Sequence, residues 1–124
     1  SIGDRCYNLA RTINHKYRGN EDFTEKQYSH IHQMFQLTDD ALNQMVSLVE
    51  DEGHQVDVNK SFNLENEINN YRSQLKNQNV LDVNNKEYDY QMGVHYMDLI
   101  GECEKLGDYI VNVVEARTDM KEKK

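Results

Sequence analysis

The sequence predicts an all-α fold: an antiparallel three-helix bundle with an additional N-terminal helix from a preceding repeat, four helices in total. Three observations predict it. The 124 residues contain no proline and only six glycines, so little interrupts long helices and little supplies the turns of a many-stranded sheet. Apolar residues recur at intervals of three and four, the period of one helix face rather than the period of two of a strand. Two segments also carry reciprocal capping signals at which a helix begins.

In the first element Ile2, Cys6, Leu9, Ile13 and Tyr17 trace one helical stripe. No cap is read ahead of it, so the helix is expected to begin upstream. Arg18-Gly19-Asn20 stops it, with Gly19 suited to a left-handed C-terminal position. At Phe23-Thr24-Glu25-Lys26-Gln27-Tyr28 the second helix opens: Thr24 caps, Gln27 reaches back, and Phe23 and Tyr28 form the staple. Ile31, Met34, Thr38, Ala41 or Leu42, Met45 and Leu48 or Val49 carry its stripe to about Glu52, and Gly53 ends it.

A third helix is predicted from about Asp57 to Asn77 on Leu64, Ile68, Tyr71 and Leu75. Asn84, Glu87 and the pair Val83 and Tyr88 repeat the capping device and open the fourth helix. Its stripe, Met92, Tyr96, Leu99, Cys103, Leu106, Ile110 and Val113, keeps a strict four-three spacing, which is a packing seam. Residues 1–18 are therefore expected to close a preceding repeat, 22–118 to form the three-helix unit, and 119–124 to be a frayed tail.

Twenty-two acids against fourteen Lys and Arg set the formal charge at −8, and mean hydropathy is −0.93. A negative chain is a poor match for phosphate backbones, which excludes nucleic acid as the main partner and leaves cations as plausible ligands. No apolar run reaches the length of a membrane span and no basic, apolar leader is read, so a cytoplasmic placement is expected. Cys6 and Cys103 read as small hydrophobes of reduced thiol.

The feature with most bearing on function is a repeat. Ile2-Gly3-Asp4 followed by Asn8 returns as Leu106-Gly107-Asp108 followed by Asn112. Each copy sets a carboxylate and an amide four apart on one helix face, beside a glycine where another backbone can come close. A glycine inside a helix costs about 0.5 to 1 kcal/mol relative to alanine, so its recurrence before the aspartate points to close approach of a backbone or ion, or to tight packing alone. Gly93 and Gly101 are further candidates for such approach.

Glu104 and Asp108 stand four apart, and like charges so placed ask for a cation. A divalent metal held by hard oxygens is one compensator, with Glu104 and Asp108 joined by Asp4 and Glu65 from facing helices, and Asn8 and Asn112 orienting them. Arg5 or Arg72 is the other. No two histidines have the spacing of a zinc site, and each is expected at the surface. No nucleophile elbow, phosphate loop or dinucleotide fingerprint is present, so no enzyme is expected.

The segment from Met97 to Glu115, with Glu104, Gly107, Asp108, Asn112 and the apolar pair Val113-Val114, resembles the signature of the PhoU domain, the helical unit of phosphate-uptake regulators. Ile2-Gly3-Asp4 through Ala10 resembles the same signature closing a preceding repeat, and Glu65, Ile68 and Tyr71 fit the family's third-helix pattern. Asn69 departs from it, at a place where the family often has a second acid. The resemblance is nearest to the PhoU-like C-terminal regions of bacterial sodium/phosphate cotransporters. It implies regulation of phosphate transport without catalysis, a divalent metal such as Zn, Fe or Mn on the acidic motifs, and a membrane-embedded phosphate transporter as partner in the same polypeptide. A structural bundle that dimerises, with the acids solvated, is the alternative.

Overall fold

The computed structural model describes residues 1–50 and 58–122, and four helices hold nearly all of them. They are α1 (Ile2–Arg18), α2 (Glu25–Glu50), α3 (Val58–Asn84) and α4 (Tyr90–Glu122), with a 3-10 turn at Gly19–Glu21 between the first two. No strand occurs among the described residues. The predicted stop at Gly53 lies outside them, and α4 runs on to Glu122, into the segment expected as a tail.

Cross-helix pairs fix the directions. Lys26 at the start of α2 meets Asp82 near the end of α3, and Gly93 near the start of α4 faces Asn79 and Val83 near the end of α3 while Gly107 further on faces Ile68, so both neighbours run antiparallel. His30 of α2 meets Tyr96 of α4 at matching ends, so α2 and α4 run parallel. The three enclose Ile31, Met34, Ile68, Tyr96, Ile100 and Ile110, all essentially without solvent. This is the predicted three-helix unit. In that core the Ile side chains alone contribute roughly 2 kcal/mol each by removal from water.

α1 lies antiparallel along α2 alone, with Asp4 at His32 and Arg11 at Glu25. Ser1 caps it, its hydroxyl accepting from the Asp4 N–H. The entry of α2 forms as the sequence predicts. The Thr24 N–H donates to Gln27 Oε1 at 3.0 Å, the Gln27 N–H to Thr24 Oγ1 at 3.1 Å, and the Phe23 and Tyr28 rings meet edge to face.

The second capping signal is overturned. α3 continues through Asn84, seven residues beyond its predicted end, and stops in a Schellman motif: the Glu87 N–H reaches the Asp82 carbonyl and the Lys86 N–H the Val83 carbonyl. Lys86 takes the left-handed position at φ 60°. The true cap of α4 is Asp89, whose Oδ1 accepts from the Met92 N–H at 2.8 Å.

The buried line of α4 is Gly93, Tyr96, Ile100, Cys103, Gly107, Ile110 and Val114, an unbroken three-four series. It shares Tyr96, Cys103 and Ile110 with the predicted stripe and turns away from the rest, leaving Leu106 partly exposed. Two of its centre positions are glycines, which a hydropathy pattern does not register.

Candidate functional site

The repeated segment faces a neighbouring helix in both places. On α4, Gly107 presents bare backbone to α3, and a Cβ built there would stand 3.4 Å from Ile68 Cδ1. On α1, Gly3 presents bare backbone to α2, where a Cβ would come within 2.9 Å of Asp39 Cβ and 3.1 Å of the Phe35 carbonyl oxygen. In each copy the aspartate that follows reaches the facing helix. Asp108 is hydrogen-bonded to Glu65 of α3, and Asp4 Oδ1 lies 2.9 Å from His32 Nε2 of α2. At Gly3 the missing side chain sets the distance, whereas at Gly107 a Cβ would make ordinary contact; in both copies the aspartate makes the tie.

At α3 and α4 the contacts form a ladder. Glu65, Ile68 and Arg72 ascend one face of α3 while Asp108, Gly107 and Glu104 descend the facing side of α4. Arg72 Nε stands 2.6 Å from Glu104 Oε2, both groups partly shielded. Of the two cationic candidates named from the sequence, Arg72 compensates Glu104, and Arg5 stands exposed on α1. Burial first, and then the hydrogen bond from the Asp108 side, push the Glu65 carboxyl above its ordinary value. Asn69, where an acid was the family expectation, bonds to Glu65 and opposes that rise. Protonation of Glu65 relieves its repulsion with Asp108.

At α1 and α2 the seam is aromatic. His32 stacks on Tyr7 with ring centroids 4.3 Å apart, and Tyr7 also meets Tyr28 and Phe35 edge to face. Arg11 lies over the Tyr28 ring and bonds Tyr7 Oη and Glu25. The hydrogen bonds from His32, and then from Ser1, hold the Asp4 carboxyl below its ordinary range.

The four acids expected to share one metal are thus distributed over two seams, Asp4 with His32, Glu104 with Arg72, and Glu65 with Asp108. Among the described residues no three His, Cys, Asp or Glu side chains gather into a group able to hold a metal ion. In this arrangement the donors do not make the six-oxygen set that a hard divalent cation takes. Asn8 and Asn112, expected to orient the acids, are both exposed.

Two residues of the site were not legible in the sequence. His32 and His30, expected at the surface, are interhelical partners, and His30 Nδ1 meets the buried Tyr96 hydroxyl at 3.0 Å. Burial, and then nearby Lys26, lower the His30 pKa. The only available signal was position: both lie one residue beside Ile31 on the buried side of α2. Cys103 is an inert thiol, pushed up to about 11 by burial, whereas Cys6 is exposed.

No helix among the described residues is long and apolar enough to cross a membrane. The family model of the PhoU domain matches residues 31–116, from the second turn of α2 into α4, and leaves α1 outside. No curated protein and no solved structure matches the chain.

Proposed function

The chain belongs to the PhoU domain family, and from that premise we propose that it is a non-catalytic regulatory module of phosphate transport which acts by docking on a membrane-embedded transporter at its cytoplasmic side. The family's regulatory role in phosphate homeostasis is the coarse part of this reading. The observation that supports the finer part is the use made of the signature residues: Asp108 and Glu104 are spent on tying α4 to α3, with Gly107 packed on Ile68 between them. A motif that fixes helix spacing builds a rigid body to be recognised, and supplies no nucleophile or open coordination position. α1, as the closing helix of a preceding unit in the same polypeptide, would join that body to the transporter.

The test is phosphate uptake by cells carrying the parent transporter with and without residues 1–124, and with Gly107→Leu, which wedges α3 from α4. Altered uptake on deletion, reproduced by the wedge, is expected. Unchanged uptake in both would leave a structural or dimerising bundle.

A second reading, regulation by bound Zn, Fe or Mn, draws on the Glu65 and Asp108 pair, two hard oxygen groups in contact across a seam. It requires Arg72 to leave Glu104. Calorimetric titration of the chain with each metal separates it from the first reading, since only a metal-holding site would lose its isotherm on Glu65→Gln.

A further inference from the structure

We propose that His30 and Tyr96 form an acid-sensitive latch, in which the neutral imidazole holds α2 to α4 and its protonation loosens the end of the bundle where those two helices begin. His30 Nδ1 lies 3.0 Å from Tyr96 Oη, which joins the second turn of α2 to the second turn of α4. The same ring meets Tyr71 of α3 edge-on, with centroids 6.3 Å apart. One imidazole therefore touches all three helices of the unit.

The direction of the hydrogen bond follows from burial. Tyr96 is 2% exposed and the Phe23 ring packs against it. Among the described residues His30 Nδ1 is the hydrogen-bond partner of its hydroxyl. An O–H buried without an acceptor is unfavourable, so the phenol donates and Nδ1 accepts, which places the proton of a neutral ring on Nε2. A protonated imidazole carries N–H on both nitrogens and accepts nothing. Protonation thus turns the bond around, and the Tyr96 hydroxyl loses its acceptor inside the core.

The charges facing the ring come from two helices. On α2 itself Lys26, one turn earlier, opposes a second positive charge, and from α3 Asp82 favours one. Asp82 is already shared, since Lys26 Nζ lies 3.4 Å from both its oxygens and Gln78 Nε2 donates to Oδ1 at 2.9 Å. The remaining titratable neighbours, Tyr71 of α3 and Tyr96 of α4, are phenols whose own pKa values burial raises, so they stay uncharged. Burial, and then Lys26, accordingly lower the His30 pKa, with Asp82 the smaller opposing influence. With the folded value below 6.5, the latch is closed above 6.5 and its contribution declines as pH falls from there through the folded value. The bundle thereby responds to acid in the range of a histidine, whatever partner the module docks on.

The test is an NMR titration of the His30 ring in the full 124-residue chain, in buffer free of phosphate and divalent metal, together with amide exchange along α2 and α4. A midpoint below 6.5 is expected, with the neutral ring protonated at Nε2. On passing from about pH 7.5 to about pH 5, the opening constants around His30 and Tyr96 are expected to rise by up to about tenfold for each unit by which that midpoint is lowered. His30→Gln offers Tyr96 an amide oxygen that does not titrate. It is expected to match the parent at neutral pH and to lose this part of the acid response, and the difference between the two chains cancels the other histidines and the carboxylates. Tyr96→Phe removes the donor that favours the neutral ring and is expected to raise the His30 midpoint, which burial alone would leave in place. The parent titration and Tyr96→Phe decide the matter even if the glutamine variant does not fold. A midpoint at or above 6.5, a neutral ring protonated at Nδ1, an equal acid response in His30→Gln, or a midpoint unmoved by Tyr96→Phe overturns the proposal.

Discussion

Arg72 and Glu104 face each other across α3 and α4 at 2.6 Å, one turn from the place where Gly107 meets Ile68. The guanidinium thus occupies the position a metal would need in order to use Glu104. With both groups partly open to water, the pair contributes about 1 kcal/mol at most after screening, so its value lies in fixing register more than in stability. Arg72→Gln is expected to lower the melting temperature by about 3 °C. It also frees Glu104 beside Asp108, so Zn or Mn should raise the melting temperature of that variant while leaving the unaltered chain unmoved. A chelator-reversible rise in the unaltered chain would show that a metal displaces Arg72, and would favour the second reading.

The glycines sort by what a methyl group would meet. At Gly3 it would collide with Asp39 Cβ at 2.9 Å and the Phe35 carbonyl at 3.1 Å, atoms of the α2 backbone or next to it that cannot rotate away. Gly3→Ala is expected to cost about 1 to 3 kcal/mol by lifting α1 from α2, read as faster amide exchange along α1. At Gly101 nothing lies within 4 Å, so Gly101→Ala is expected to stabilise by about 0.5 to 1 kcal/mol through helix propensity. Gly107, at 3.4 Å from a movable Ile68 methyl, is expected between them and close to neutral. Thermal melts of the three variants check the order, and an equal response would separate these glycines from helix spacing.

Glu65 carries the pH dependence of the α3 and α4 seam. Its folded pKa is raised above the ordinary 4.5 by burial and by Asp108, so the folded state holds a proton that the unfolded chain releases earlier. The favourable contribution is present below 4.5 and declines as pH rises from there through the folded value. Glu65→Gln keeps a donor toward Asp108 and abolishes the charge. The variant is expected to melt higher than the parent at neutral pH, with the gap closing as pH falls below 4.5. A gap that stays constant from acid to neutral pH would mean that Glu65 takes up no extra proton on folding.

How far the fold was legible depended on where the signals were chemical. The entry of α2 was readable because Thr24, Gln27, Phe23 and Tyr28 act locally, within one turn. Gly3 was readable as a close approach because glycine inside a helix has a cost that asks for a reason, while Gly107, read the same way, stands at ordinary contact distance from Ile68. The face of α1 was not readable, since Ile2, Leu9 and Ile13 mark a seam in the sequence whether or not its partner is present. Nor were the partners of the acids. Arg72 and His32 lie far from Glu104 and Asp4 in the chain, and only the antiparallel register brings them together. The turn between α3 and α4 misled because Asn84 to Tyr88 contains the right residues for a helix start, while the helix end it really forms has a lysine where glycine would announce it.

That lysine is itself a test of the turn. Lys86 at φ 60° holds the left-handed position of the Schellman motif, with the Glu87 N–H bonded to the Asp82 carbonyl and the Lys86 N–H to the Val83 carbonyl. An L side chain there costs about 1 kcal/mol or more, which glycine avoids, though glycine loses more freedom on folding. Lys86→Gly is expected to stabilise by about 0.5 kcal/mol net, and Lys86→Val, branched at Cβ, to destabilise by about 1 kcal/mol or more. Were the sequence's own signal correct and α4 to begin after Asn84, position 86 would lie in the first helical turn. The order would then reverse, with glycine the weaker residue. Paired thermal melts of the two variants therefore decide between a helix end and a helix start at this point of the chain.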